Sequence, residues 1–396
     1  MQRPWLSALL ALACAGLVSA QNAPVEKAWE LIANGRRGEA VTLLRTTLRS
    51  DPRNAEAHLL LGSVLVETGE RAESIDHLRD AVRLLPNSAE AHNALGEAYN
   101  KFGQLKLARP EFEKATSLDP RLAVAHVSLA AILVQESEFQ AAAGHLDQAI
   151  TLIGKTPDAA YPLYLRAKVR VEEQDMAKAA ADLQQAVEVQ PNFPEAWSDL
   201  GEARRSLFDD AGALKAFRRA VELNPEDAVA QTRLGSKLLD AGQPHEAIPH
   251  LQEAARLDPK DQSALNALMI ALRKDGQSEQ ANAVRQKLAQ VLRDKVRADQ
   301  NLLSSIELNN RGAALEKGGD LRGALEKYRA AFELNPEHVG IRTNLAIALL
   351  KLGHWDEGIR QLREASRRDP ANTDLQKALD DALAQARAHH IVLSQP

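Results

Sequence analysis

The chain has almost no cysteine. Cys14 is the only thiol among 396 residues, so no intramolecular disulfide forms and the fold must hold by packing alone. Aromatic residues are scarce, at 4%. A carbohydrate-binding or enzyme-associated reading needs a row of exposed rings, and Trp29, Trp197 and Trp355 are too scattered along the chain to supply one. There is no basic excess either. The 49 Lys and Arg residues are outweighed by 54 Asp and Glu residues, with the signs interspersed, which removes the electrostatic footprint of a nucleic-acid binder. No Asn-x-Ser/Thr sequon occurs. Beyond residue 18 no apolar run approaches the roughly 20 residues that a membrane-crossing helix needs, so no integral membrane span is expected in the mature chain. The apolar share of 45% is that of a folded chain rather than a disordered one.

The N-terminus differs from everything after it. Arg3 precedes an apolar run from Trp5 to Val18, and the run ends in Val18-Ser19-Ala20 before the polar Gln21-Asn22. A short apolar stretch closed by small residues is expected to be a secretory signal peptide cleaved after Ala20. The mature chain would then be periplasmic or secreted. The alternative is a lipoprotein anchored through Cys14, although Ala11 stands where a leucine is usual.

What the chain does have is a period. Pro52, Pro86 and Pro120 are evenly spaced, and Pro191, Pro225 and Pro259, then Pro336 and Pro370, repeat the same step. The two wider gaps, from Pro120 to Pro191 and from Pro259 to Pro336, are two periods plus three and two periods plus nine. Other columns keep the same register. One is small: Ala28, Gly62, Gly96, Ala130, Ala167, Gly201, Gly235, Met269, Gly312 and Ala346. A second, half a period farther on, is mostly large: Leu44, Leu78, Phe112, Leu146, Leu183, Phe217, Leu251, Arg285, Tyr328 and Leu362. Apolar residues fall at three- and four-residue spacing, which gives two amphipathic helices per period. Glycines such as Gly69, Gly103 and Gly242 mark the turn within each pair. Such units cannot bury their apolar faces singly and must stack.

Ala91-His92, Leu95-Gly96, Tyr99, Ala108, Phe112, Ala115 and Pro120 together resemble the pattern of the tetratricopeptide repeat family, here as an exported bacterial member. The resemblance implies an all-α, right-handed α-solenoid superhelix of about ten two-helix repeats with a C-terminal capping helix. The expected organisation is a signal peptide over 1–20, repeats 1–8 over 21–295, a joint over 296–304, repeats 9–10 over 305–372, and a capping helix and tail over 373–396. The joint is expected because the eighth unit lacks its proline, carries Arg285 at a packing position and is followed by nine extra residues.

No motif nominates an enzyme. Gly154-Lys155-Thr156 lacks the earlier glycine and the preceding strand of a phosphate-binding loop. His245 and His250 are five residues apart, about 140° around a helix, which does not suit a zinc pair. His58, His92 and His126 recur one period apart and are read as packing residues. Neither a cofactor nor a metal is expected.

The expected function is a non-enzymatic scaffold that binds a protein or peptide in a concave groove lined by the first helices. The groove face of repeats 2–4 carries Leu59, Leu60, Ser63, Val66, Asn93, Asn100, Val127 and Val134, a rather apolar stretch in which Leu59, Leu60, Val127 and Val134 form the apolar set. In the last two repeats it carries Asn309, Asn310 and Asn344. The family resemblance implies that asparagines at Asn310 and Asn344 contact a peptide, and an amide both donates to and accepts from backbone.

Overall fold

A computed structural model describes residues 23–370, 372–389 and 391. The expected signal peptide, Cys14 and the end of the tail lie outside these described residues.

The described residues form twenty α-helices, one short 3-10 turn at Pro157–Ala159 and no strand. They run as α1 Ala23–Ala33, α2 Arg37–Ser50, α3 Ala55–Thr68, α4 Arg71–Leu84, α5 Ala89–Lys101, α6 Leu105–Leu118, α7 Ala123–Gln135, α8 Phe139–Ile153, α9 Ala160–Glu172, α10 Met176–Val189, α11 Pro194–Ser206, α12 Asp210–Leu223, α13 Ala228–Asp240 and α14 Pro244–Leu257. These fourteen are the two-helix units of repeats 1–7. The rest are α15 Gln262–Lys274, α16 Ser278–Lys317, α17 Leu321–Leu334, α18 Val339–Lys351, α19 Trp355–Arg368 and α20 Thr373–Ala388. Helix contacts divide the chain into two compact units between Pro259 and Lys260. The first holds repeats 1–7; the second holds repeats 8–10 and α20. The fold is an all-α helical-repeat solenoid.

Each pair closes through the two columns seen in the sequence. A Cβ added to Gly62 would lie 2.6 Å from Leu78 Cγ, one on Gly96 2.7 Å from Phe112 Cε1, and one on Gly201 2.5 Å from Phe217. Gly235 and Gly312 meet Leu251 and Tyr328 in the same way. The small residue is therefore the floor on which the large residue of the second helix rests. Leu44, Leu78, Phe112, Leu146, Phe217, Leu251, Tyr328 and Leu362 are almost wholly removed from water. The turn within each pair needs a left-handed residue. Glycine supplies it in seven repeats, but Ser137, Gln174 and Phe208 adopt φ of 61–62° at the same point in repeats 4–6.

The prolines have a second role. Six of the eight periodic prolines present their carbonyl between repeats to a side chain six residues later, which donates to it. The Nε2 atoms of His58 and His92 lie 3.2 Å from the carbonyls of Pro52 and Pro86, and that of His126 lies 3.1 Å from Pro120. Trp197 Nε1 and Gln231 Nε2 donate at 2.9 Å to Pro191 and Pro225, and Arg342 at 2.6 Å to Pro336. A backbone acceptor outside the helical ladder is thus satisfied at six repeat boundaries by four side-chain types, and Gln148 Nε2 adds a second donor to Pro120 at 2.6 Å. The recurring histidines thus sit in the packed interior, as the sequence suggested, but they act through hydrogen bonds as well as shape.

Two expectations change. The joint over 296–304 is not a break: α16 runs unbroken for 40 residues, from Ser278 to Lys317. It fuses the second helix of repeat 8 to the first helix of repeat 9. Neither glycine nor proline occurs between Gly276 and Gly312, so nothing interrupts the helical hydrogen-bond ladder. The lapse in packing that the sequence signalled is real, because residues 292–300 are all exposed. The division between compact units falls instead at the turn around Pro259.

Candidate functional site

The first helices of successive repeats touch one another directly. Contacts join α1 to α3, α3 to α5, α7 to α9 and α11 to α13 in the first unit, and α16 to α18 in the second. This places the first-helix face on the inner side of each stack. It also decides the fate of the residues expected to line it.

The apolar set of repeats 2–4 is largely consumed by these contacts. Leu60 is 3% exposed and belongs to the core around Val25, Leu31 and Leu61. Val66 and Ser63 are buried too. Asn93 is 9% exposed, and its Oδ1 has no hydrogen-bond partner. Leu59, Val127 and Val134 are half-buried against the core that contains Leu95 and Leu129. This is a correction to the expected open apolar surface. Leu60 packs against residues of α1, Asn93 is buried, and Leu59, Asn100, Val127 and Val134 are half-exposed.

What remains open is a polar ladder that steps from one repeat to the next. In repeats 5–7 the Arg233 guanidinium donates to Ser198 Oγ at 2.7 Å and to Asp199 Oδ1 at 2.9 Å. The Asp199 carboxylate also faces the Tyr164 hydroxyl, and burial together with that carboxylate raises the Tyr164 pKa well above the usual phenol range. The Tyr164 ring lies 5.1 Å from that of Phe193, with the Lys168 ammonium 5.4 Å from its centre. Tyr161, three residues earlier, is 44% exposed, and Val229 is 56% exposed. In repeats 3 and 4, Ser128 donates to Glu97 across the repeat boundary. Helix spacing alone puts Asp199 and Arg233 on this face; what it does not single out is the tyrosine pair beside them. Its available signal was that two of the chain's four tyrosines fall three residues apart on one first helix.

In the second unit, Asn344 Nδ2 donates to Asn309 Oδ1 at 3.0 Å. The asparagine that reaches across is therefore Asn309, while Asn310 is exposed beside it. Farther along, Lys351 Nζ donates to Glu316 Oε1 at 2.7 Å, and Tyr328 donates to Oε2 of the same carboxylate at 2.8 Å. Both contacts lower the Glu316 pKa, the lysine contact most. Side chains held this way lose little freedom when a ligand replaces water on them.

Among the described residues, no group of three or more His, Cys, Asp or Glu is placed to hold a metal ion. No helix among them is long and apolar enough to cross a membrane.

Comparisons with known proteins fit this geometry. The chain matches the tetratricopeptide repeat family over residues 25–89, 63–123 and 164–228, and a second description of the same repeat over 315–385. Residues 219–303 also match the bacterial transcriptional activator domain. No curated protein matches the sequence. Among solved structures, PilF of Pseudomonas aeruginosa is 19% identical, covering 55% of this chain and 98% of its own, with a TM-score of 0.50. The C-terminal part of a TPR repeat-containing protein from Cytophaga hutchinsonii is 14% identical, covering 62% and 99%, at a TM-score of 0.47. A thermophilic TPR protein from Thermus thermophilus is 22% identical, covering 46% and 98%, at 0.38. At these identities the likeness concerns the fold alone, and only the first superposes well enough to add to the case. The repeat columns, the two-helix units they build and the family matches along both compact units together place this chain in the tetratricopeptide repeat family.

Proposed function

We propose that the protein is a non-enzymatic scaffold that holds an extended segment of a partner protein along its first-helix face, in an exported compartment. The observation that carries this reading is the ladder of Tyr164, Asp199 and Arg233, which is braced across repeats yet open to solvent, with Tyr161 and Val229 exposed beside it. Fixed donors and acceptors next to exposed apolar anchors suit an extended backbone, whose amides need partners and whose alternate side chains need apolar contacts. In the second unit, Asn309, Asn310 and Asn344 offer amide groups of the same kind. The sequence before Gln21 supports export.

The test is affinity capture from a periplasmic fraction, followed by titration of the captured partner. Replacing Tyr161 by Ala together with Val229 by Asp should weaken binding at least tenfold, and Asn310→Ala with Asn344→Ala by about 1–3 kcal/mol if their bonds are desolvated in the complex. Unchanged affinity in both variants, with helicity intact, would remove this face from the binding site.

A further inference from the structure

Three repeats share one histidine but give it different partners. The Nε2 atoms of His58, His92 and His126 all face a proline carbonyl. A carbonyl only accepts, so each Nε2 carries the proton; a neutral ring then has a bare Nδ1, which can accept from a donor but would oppose a carboxylate. That Nδ1 meets the residue 19 positions later, on the second helix. In repeat 3 the partner is Glu111, 2.6 Å away. In repeat 2 it is His77, with the two Nδ1 atoms 2.9 Å apart, and in repeat 4 it is His145, at 2.8 Å. Two Nδ1 atoms at hydrogen-bond distance share one proton. Since His58 and His126 accept, His77 and His145 donate.

We propose that the His58–His77 and His126–His145 contacts are acid-sensitive latches, closed by one proton held between two imidazoles and forced open when both rings are fully protonated.

The hydrogen-bond geometry of a pair tolerates one added proton and opposes a second. His77 Nε2 is 3.7 Å from the Glu73 carboxylate, so a proton added there leaves the pair intact. A proton added to His58 Nδ1 would set N–H against N–H. The charged groups facing this pair are Glu73 and Asp80 on α4, which favour protonation, and Arg45 on α2, which opposes it. Asp80 Oδ2 lies 3.9 Å from His58 Nδ1 and offers that ring a second acceptor once it lets go of His77. In repeat 4, Asp119 faces His126 and Glu113 faces His145, and both carboxylates favour protonation. Burial outweighs them. It is the largest influence on His77, His126 and His145 and holds each below the ordinary histidine value. The sign follows. The unfolded chain takes protons that the closed pairs refuse, so the contribution is complete above about pH 6.5 and is lost as pH falls below it. One proton fewer per closed pair changes its closing equilibrium about tenfold per pH unit. Repeat 3 serves as an internal control, because protonated His92 finds acceptors at both nitrogens, Pro86 and Glu111.

The inference stands whether or not the first-helix face binds a partner. It is tested by amide exchange of the full chain at pH 7 and pH 5, corrected for intrinsic rates. Protection in α3, α4, α7 and α8 should fall at least tenfold relative to α5 and α6. Glutamine already serves at this partner position opposite Arg342, as Gln361. The H77Q/H145Q double variant should therefore keep its fold and lose the extra pH dependence. Converting both pairs to the repeat 3 arrangement, with H77E/H145E, should likewise remove the extra loss of protection, because each contact then pairs a nitrogen with an acceptor. Equal protection at both pH values in the wild type, or an unchanged loss in either double variant, would overturn the proposal.

Discussion

Repeat 5 replaces two of its packing leucines with arginines and so provides a sharp test of what holds a pair together. Arg166 and Arg170 stand where repeats 2, 4 and 7 have Leu61 and Leu65, Leu129 and Leu133, and Leu234 and Leu238. Both turn onto Asp182 of the second helix, which is 1% exposed. Arg166 donates to its two oxygens at 2.9 and 2.6 Å, and Arg170 approaches it at 2.6 Å. The arginine side chains are only 15% and 20% exposed. Asp182→Ala would leave two largely buried guanidinium groups without their shared acceptor. Breaking a buried pair in this way costs about 3–5 kcal/mol. The lower end applies here, because Arg166 keeps Asp147 at 2.6 Å and neither arginine is fully dry. Replacing all three residues, as R166L/R170L/D182A, restores the leucine columns and should be neutral or stabilising by about 1–4 kcal/mol. The assay is urea unfolding together with amide exchange read in α9 and α10, since contacts in a stacked array are nearest-neighbour. A single variant costing under about 1 kcal/mol, or a triple variant as unstable as the single, would show that Asp182 is not what makes the two buried arginines tolerable.

Other outcomes follow from the same structure. Gly201→Leu forces atoms into the space where a Cβ alone would lie 2.5 Å from the Phe217 ring, and should cost about 3 kcal/mol, with exchange loosening in α11 and α12 before distant repeats. Phe208 is held at φ 61° and is 92% exposed, so Phe208→Gly should raise the urea midpoint by an amount worth about 1 kcal/mol. Gly242→Ala, at the equivalent turn with φ 73°, should lower it by a similar amount. N-terminal sequencing of exported material should begin at Gln21; a lipid-modified Cys14 at the N-terminus, or retention of residues 1–20, would contradict that cleavage.

The fold was legible because its instructions are local and repeated. Gly96 and Phe112, or Gly201 and Phe217, stand half a period apart in one column register, and that register is the contact itself. The length of α16 is half legible: the missing proline and Arg285 mark lost packing, whereas continuity follows from helix propagation through a stretch with neither glycine nor proline. The site was less legible because exposure depends on the neighbouring repeat. Leu60 and Asn93 point to the first-helix face as the spacing requires, yet both are buried. The Arg166–Asp182–Arg170 cluster breaks the apolar pattern, and only the folded pair shows that the three charges satisfy one another. The proline carbonyl brace hides behind His, Trp, Gln and Arg, which share a donor and little else.

A partner held along the first-helix face should touch that face and leave the second helices untouched. Site-specific photo-crosslinking tests this most directly, with the reactive residue placed at Tyr161, Val229 or Asn310 and, as controls, at Arg83 or Arg219 on second helices. One and the same partner should be captured from the first-helix positions of a compact unit and not from Arg83 or Arg219. Capture of that partner from the second-helix positions, with none at Tyr161, Val229 or Asn310, would contradict that placement.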